Sequence, residues 1–131
     1  MKVIIAGGRR FNNYKLVKDT LDKLFASLEG DIQVVSGACN TGILTYNRSD
    51  GTAVCGADGL GEKYARERGY PVYPSPANWE LHGKSAGYKR NEEMAQYATH
   101  CVCFWDGMSR GTGHMIDLGK KYGLRGKVVR Y

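Results

Sequence analysis

One stretch constrains the fold of this chain more than any other: Ala86 to Asp117, AGYKRNEEMAQYATHCVCFWDGMSRGTGHMID. It predicts a helix opened by the basic pair Lys89-Arg90, an apolar strand over Cys101 to Trp105, and a Gly-rich turn from Asp106 to Thr112 that starts another helix. A strand that leaves through such a turn into a helix is the building unit of a parallel α/β sheet. The turn has the composition of an anion cradle. Its glycines let backbone approach a ligand closely, and the unbonded N–H groups of the next helix face a negative charge. Arg110 adds a planar fork suited to phosphate. A phosphate-bearing small molecule is the expected ligand.

The rest of the chain alternates in the same way. Lys2-Val3-Ile4-Ile5-Ala6 is a short apolar run ending in Gly7-Gly8-Arg9-Arg10, as a buried parallel strand looks on leaving its sheet. From Tyr14 to Leu28 the apolar residues Val17, Leu21, Leu24, Phe25 and Leu28 fall at helical spacing, with Asn13 as N-cap and Gly30 as the stop. Ile32 to Val35 is a second strand. Gly56 to Arg68 is a helix closed by Gly69, and Pro71 to Pro74 is a short strand. Ser75 to Lys84 reads as a loop carrying Trp79 and His82. Helices over Asn91–Ala98 and Gly111–Tyr122 and a last strand over Lys127–Arg130 complete the pattern. The expected fold is α/β, a Rossmann-like doubly wound parallel sheet, in one domain over residues 1–131. One segment breaks the alternation. Around residues 42–55, two β-prone runs flank Asp50-Gly51, the signature of an inserted hairpin.

Composition narrows the function classes. The chain is 42% hydrophobic and 24% charged, ordinary values for a globular domain. It has no apolar run long enough to span a bilayer, and its start turns polar too early for a signal peptide, so a cytoplasmic location and no membrane partner are expected. The net charge of +6 raises the question of nucleic acid. Its distribution argues otherwise: Lys15, Lys18, Lys23, Lys120 and Lys121 are interleaved with acids on helix faces, while Arg9, Arg10, Arg90 and Arg110 stand in or beside loops. The four cysteines form no CxxC pair. No metal site is expected, although Cys39 and Cys55 bracket the inserted segment and Cys101 and Cys103 point to one face of a strand.

These residues resemble the SLOG superfamily of Rossmann-like nucleotide-binding proteins, in its YspA-type branch. The matching blocks are Ile4 to Phe11, Val35-Ser36-Gly37 with Gly56 to Glu62, Pro76 to Trp79, Ala86-Gly87 with Arg90-Asn91 and Met94, and Trp105-Asp106-Gly107 with Ser109 to Thr112. They span nearly the whole chain in family order. The resemblance implies a nucleotide or nucleotide-derived ligand. The related LOG phosphoribohydrolases share the Arg-x-x-x-Met helix, matched by Arg90 and Met94, and a Gly-Thr matched by Gly111-Thr112. Their catalytic glutamate position falls on Met115, which can neither stabilise an oxocarbenium ion nor activate water. Asp117, two residues on, is rotated by ~200° along a helix.

The expected ligand-binding residues are therefore Gly7, Gly8 and Arg9 after the first strand, Gly37 and Asp58 beside the hairpin, Trp79 as a lid over a base, Arg90 and Asn91, and Asp106, Ser109, Arg110, Gly111 and Thr112 in the turn. Several carry a second reading. Asp58 either caps its helix or accepts from a ribose hydroxyl, Asn91 also reads as a helix-start or loop hydrogen-bonder, and Trp79 as a packing plug over the sheet. His114 has no partner spacing for a triad or metal site. The combined reading is a cytoplasmic sensor or sequestering protein for a signalling nucleotide, cyclic or ADP-ribose-related ligands included, of a kind a phage would encode. It needs no cofactor, and a homo-oligomer is expected. The alternatives are an N-glycosidase or phosphoribohydrolase acting through Asp58, Asp106 or Asp117, and a single-strand nucleic-acid binder, which ranks last for want of a basic stripe with interleaved aromatics.

Overall fold

A computed structural model of the chain describes residues 1–8, 11–37, 45–46, 53–54, 56–75 and 79–131. Its elements in order are β1 (Lys2–Gly7), α1 (Tyr14–Ala26), β2 (Gln33–Ser36), β3 (Thr45–Tyr46), β4 (Ala53–Val54), α2 (Gly56–Arg68), β5 (Val72–Pro74), α3 (Trp79–His82), α4 (Ala86–Tyr97), β6 (His100–Trp105), α5 (Arg110–Lys121) and β7 (Arg125–Arg130). Five strands form one parallel sheet in the order β5-β2-β1-β6-β7. The expected Rossmann-like α/β architecture is the observed one.

The apolar run of β1 shows why the sheet sits in the middle. Strand side chains alternate between faces, and here both faces are covered. Val3 and Ile5 join Val17, Leu21 and Phe25 of α1 and Leu60, Tyr64 and Ala65 of α2 in one buried cluster. Ile4 and Ala6 join Met94 and Ala95 of α4 and Met115 and Leu118 of α5 in the other. On β6, Cys101 and Cys103 fall on this second face, as their spacing predicts. Their sulfurs lie 3.5 Å apart and both are buried, and the contact together with burial pushes the Cys103 thiol up. Asn13 caps α1 through its side-chain oxygen, which accepts from Leu16 N at 3.1 Å.

The inserted element is present as an antiparallel pair, Thr45 against Val54 and Tyr46 against Ala53. Its turn at Asp50-Gly51, and Cys39 and Cys55, lie outside the described residues. No helix among the described residues is long and apolar enough to cross a membrane.

Two expectations need correction. The segment Ser75 to Lys84 is not a continuous loop, because Trp79–His82 forms a helical turn that runs through a 3₁₀ turn (Gly83–Ser85) into α4. Consequently α4 begins at Ala86 rather than Asn91, and Arg90 stands in its second turn instead of opening it. Gly87 disguises the early start by its low helix propensity, which the burial of Ala86 and Asn91 against the rest of the protein outweighs.

Candidate functional site

The order β5-β2-β1-β6-β7 places the topological switch between β1 and β6. From β1 the chain turns towards β2, and from β6 towards β7. Their carboxyl ends diverge there and leave the crevice where such sheets take ligands. Gly7 pairs with Phe104, so the Gly7-Gly8 turn and the Asp106 turn face each other across it.

Gly7 does not line the crevice by choice of ligand alone. A Cβ on it would stand 2.7 Å from Ala57 Cβ and 2.7 Å from the Phe104 carbonyl. The Gly8 carbonyl accepts from Ala57 N and from Phe11 N, each at 3.2 Å. The turn thus docks the start of α2 onto the sheet, and Gly7 is glycine because the helix needs the room.

A second group runs along the edge from β2 to α5. A Cβ on Gly37 would meet Asp58 Oδ2 at 2.6 Å and Arg90 Nη1 at 2.7 Å, so this carboxylate and this guanidinium converge on one glycine. Arg90 Nη1 donates to the Gly37 carbonyl at 2.5 Å, and Arg90 Nε donates to Asn91 Oδ1 at 3.0 Å. Asn91 Nδ2 continues the line to the Gly111 carbonyl at 3.3 Å and to His114 Nδ1 at 3.4 Å. Burial holds His114 below the usual histidine range, against the pull of Asp117 and Glu92, so its ring is neutral near pH 7. Arg90 and Asn91, both expected ligand contacts, also tie Gly37 after β2 to the start of α5.

The third group is the turn itself. Asp106 Oδ1 accepts from Ser109 N and Met108 N, both at 2.8 Å, and these bonds hold its carboxyl below the usual range. Ser109 O accepts from Trp105 Nε1 and from Gly113 N, each at 3.0 Å. Ser109 Oγ contacts the buried Thr112 Oγ1 at 3.2 Å, which makes Thr112 an internal brace. Arg110, expected to fork onto phosphate, is the exposed first residue of α5. Gly111 is unlike Gly7: its φ is not positive, and nothing among the described residues lies within 4 Å of where a Cβ would stand. Arg9 lies outside the described residues, as does the side chain of Trp79, whose backbone opens α3. Met115, expected at the position of the LOG glutamate, is 1% exposed and packs in the second core cluster.

The chain is similar to the Gene 61 protein of Mycobacterium phage D29, with 34% identity over 130 residues, 94% of this chain and 91% of the relative. The chain belongs to the family of that Gene 61 protein. No family model matches it, and no solved structure matches it.

Three further residues of this chain stand at the same edge and were not among the expected ligand contacts. Arg130 and Tyr131 follow from topology: the last parallel strand also ends at the carboxyl edge, so its final residues stand beside Trp105. Glu62 is the third. It lies one turn beyond Asp58 on α2, half-buried, and accepts a hydrogen bond from Ser36, itself buried at the end of β2. The i, i+4 spacing that puts Asp58 and Glu62 on one helix face was the available signal. A cavity of about 200 Å³ lies at the opposite edge of the sheet, between Leu24, Leu28, His100 and Arg125. It is away from the Gly7-Gly8 and Asp106 turns, so the switch crevice is the better site.

Burial raises the Glu62 carboxyl above its ordinary value of about 4.5, while Arg66 and Ser36 oppose the shift. An acid whose folded pKa is raised holds its proton more tightly when native, so stability declines as pH climbs through the window above 4.5. Glu62→Gln should consequently raise the melting temperature at pH 7–8 and match wild type near pH 4. A lower melting temperature at neutral pH would show that the charge stabilises the fold.

Proposed function

We propose that the chain is a SLOG-type, YspA-like protein that binds a nucleotide or nucleotide-derived ligand at the switch crevice and holds it as a sensor or sequestering protein. The observation that carries this reading is Gly111. The fold does not require a glycine there, since the backbone is ordinary and the space is open among the described residues. A glycine in the first turn of a long helix costs about 0.5–1 kcal/mol relative to alanine. Close approach of a ligand anion to the N–H groups at the start of α5 accounts for it. The facing Gly8, Asp58 and the hydrogen-bonded line from Gly37 through Arg90 and Asn91 to Gly111 supply the other walls. The burial of Met115 favours holding over cleavage. A phage origin, a cytoplasmic location and a homo-oligomer belong to the same reading.

Gly111→Ala separates the two roles a glycine can have. It should raise stability by about 0.5–1 kcal/mol while weakening ligand binding. Mass spectrometry of small molecules released on denaturation, run on wild type beside Gly111→Ala and Arg110→Ala, tests the proposal directly. An intact nucleotide released from wild type and reduced in Gly111→Ala is expected. A stabilised variant that retains its ligand in full would remove the ground for placing the anion at α5.

A second reading, an N-glycosidase acting on a nucleoside phosphate or NAD derivative, is favoured by one observation, the half-buried Glu62 with its raised carboxyl. Release of base and sugar phosphate by wild type, lost in Glu62→Gln, would replace the binding reading by this one.

A further inference from the structure

β7 continues past its last ladder position, because Tyr131 N donates to the Trp105 carbonyl at 3.2 Å. Successive side chains along it leave on opposite faces. Arg130 pairs in register with Trp105 and leaves on the α5 face. Its guanidinium carbon lies 5.1 Å from the Trp105 ring centroid. The guanidinium also lies across Gly107, whose φ of 86° and missing Cβ leave it room. The cation is thereby set over the Asp106 turn. Asp106 has Oδ1 committed to Met108 N and Ser109 N, and Arg130 forms no ion pair among the described residues.

Tyr131 leaves on the other face. Its ring packs 4.6 Å from that of Phe11, which in turn stacks on Phe104 at 5.1 Å. Its hydroxyl lies 2.9 Å from where a Gly8 Cβ would stand, the sole neighbour of that point within 4 Å among the described residues. The side chain thus reaches from β7 past β6 towards β1, roughly 10 Å at the usual strand spacing, and crosses the mouth of the switch crevice. It remains 50% exposed, which leaves ring surface for a ligand.

We propose that Arg130 and Tyr131 are ligand contacts that complete this crevice, Arg130 carrying an anionic group beside the Asp106 turn and Tyr131 packing on a planar base; the inference rests on the nucleotide reading above. Arg130 is already oriented by Trp105, so less side-chain freedom is lost when an anion binds. Gly8 and Gly107 are open for the same reason on the two faces: each makes space for one of these side chains.

Calorimetric titration with AMP and ribose 5-phosphate tests this, because the two probes share sugar and phosphate and differ in the base. Arg130→Ala should weaken both by about tenfold, as expected for a charge-assisted phosphate contact. Tyr131→Ala should weaken AMP alone by about tenfold, the size of one base–aromatic stack, with Tyr131→Phe close to wild type. Circular dichroism checks that each variant is folded. If wild type binds AMP and both alanine variants bind it equally well, this inference fails and the nucleotide reading stands. If wild type binds neither probe, both fall together.

Discussion

Gly7→Ala is expected to destabilise the protein by roughly 3 kcal/mol, at the upper end of overpacking effects. For a domain of this length that lowers the melting temperature by about 10 °C. The new methyl would stand 2.7 Å from the Phe104 carbonyl and 2.7 Å from Ala57 Cβ, and neither can step aside. The first belongs to the neighbouring ladder, and the second to a helix whose N-terminus is bonded to Gly8 O. Gly61→Ala is the internal control. Its methyl would meet Ile5 Cγ2 at 2.9 Å and Ile5 Cβ at 3.0 Å, slightly looser contacts with no backbone atom among them. Thermal melts of the two variants, measured side by side, should show the larger loss at Gly7. An equal or smaller loss there would mean that α2 is free to slide, and that the Gly7-Gly8 turn is not what seats it.

That contrast explains which parts of the molecule can be read from the chain and which cannot. Strands announce themselves as apolar runs stopped by glycine because both faces of this sheet are buried, so β1, β2 and β6 are legible, as are α1 with its Asn13 cap and the antiparallel pair around the insertion. The start of α4 is not, because two glycines with Lys84 and Ser85 at 83–87 look like a loop until packing is known. Glycines at the carboxyl edge mark where the turns meet but do not tell their separate roles. Gly7 is there for helix packing, Gly37 for a convergence of Asp58 and Arg90, and Gly111 for neither. Arg130 and Tyr131 are invisible as motifs because only the strand order brings them beside Trp105. Glu62 reads as one more charge on a helix face, and its burial against Ser36 exists only in three dimensions.

Asn91 carries the other large expected effect. It is 7% exposed and bridges Arg90 Nε to the Gly111 carbonyl. Asn91→Leu keeps the volume and removes both bonds, leaving the donor and the acceptor without this partner. A buried polar group stripped of its partner costs about 1–3 kcal/mol, so a loss of roughly 2–3 kcal/mol is expected. Asn91→Asp distinguishes the bridge from mere bulk through pH. In wild type, burial lowers the His114 pKa, so the unfolded chain takes up a proton first and stability falls as pH drops through about 6.5. A carboxylate at position 91 would face His114 Nδ1, alongside Glu92, Asp117 and the Tyr88 ring, and raise that pKa instead. A raised histidine contributes stability that is complete below its unfolded value and is lost as pH rises through the folded one. Between pH 7.5 and pH 5.5, Asn91→Asp should therefore gain stability relative to wild type. Parallel slopes in thermal melts across that range would mean that His114 does not sense residue 91, and that the line from Gly37 to α5 is broken at its last step.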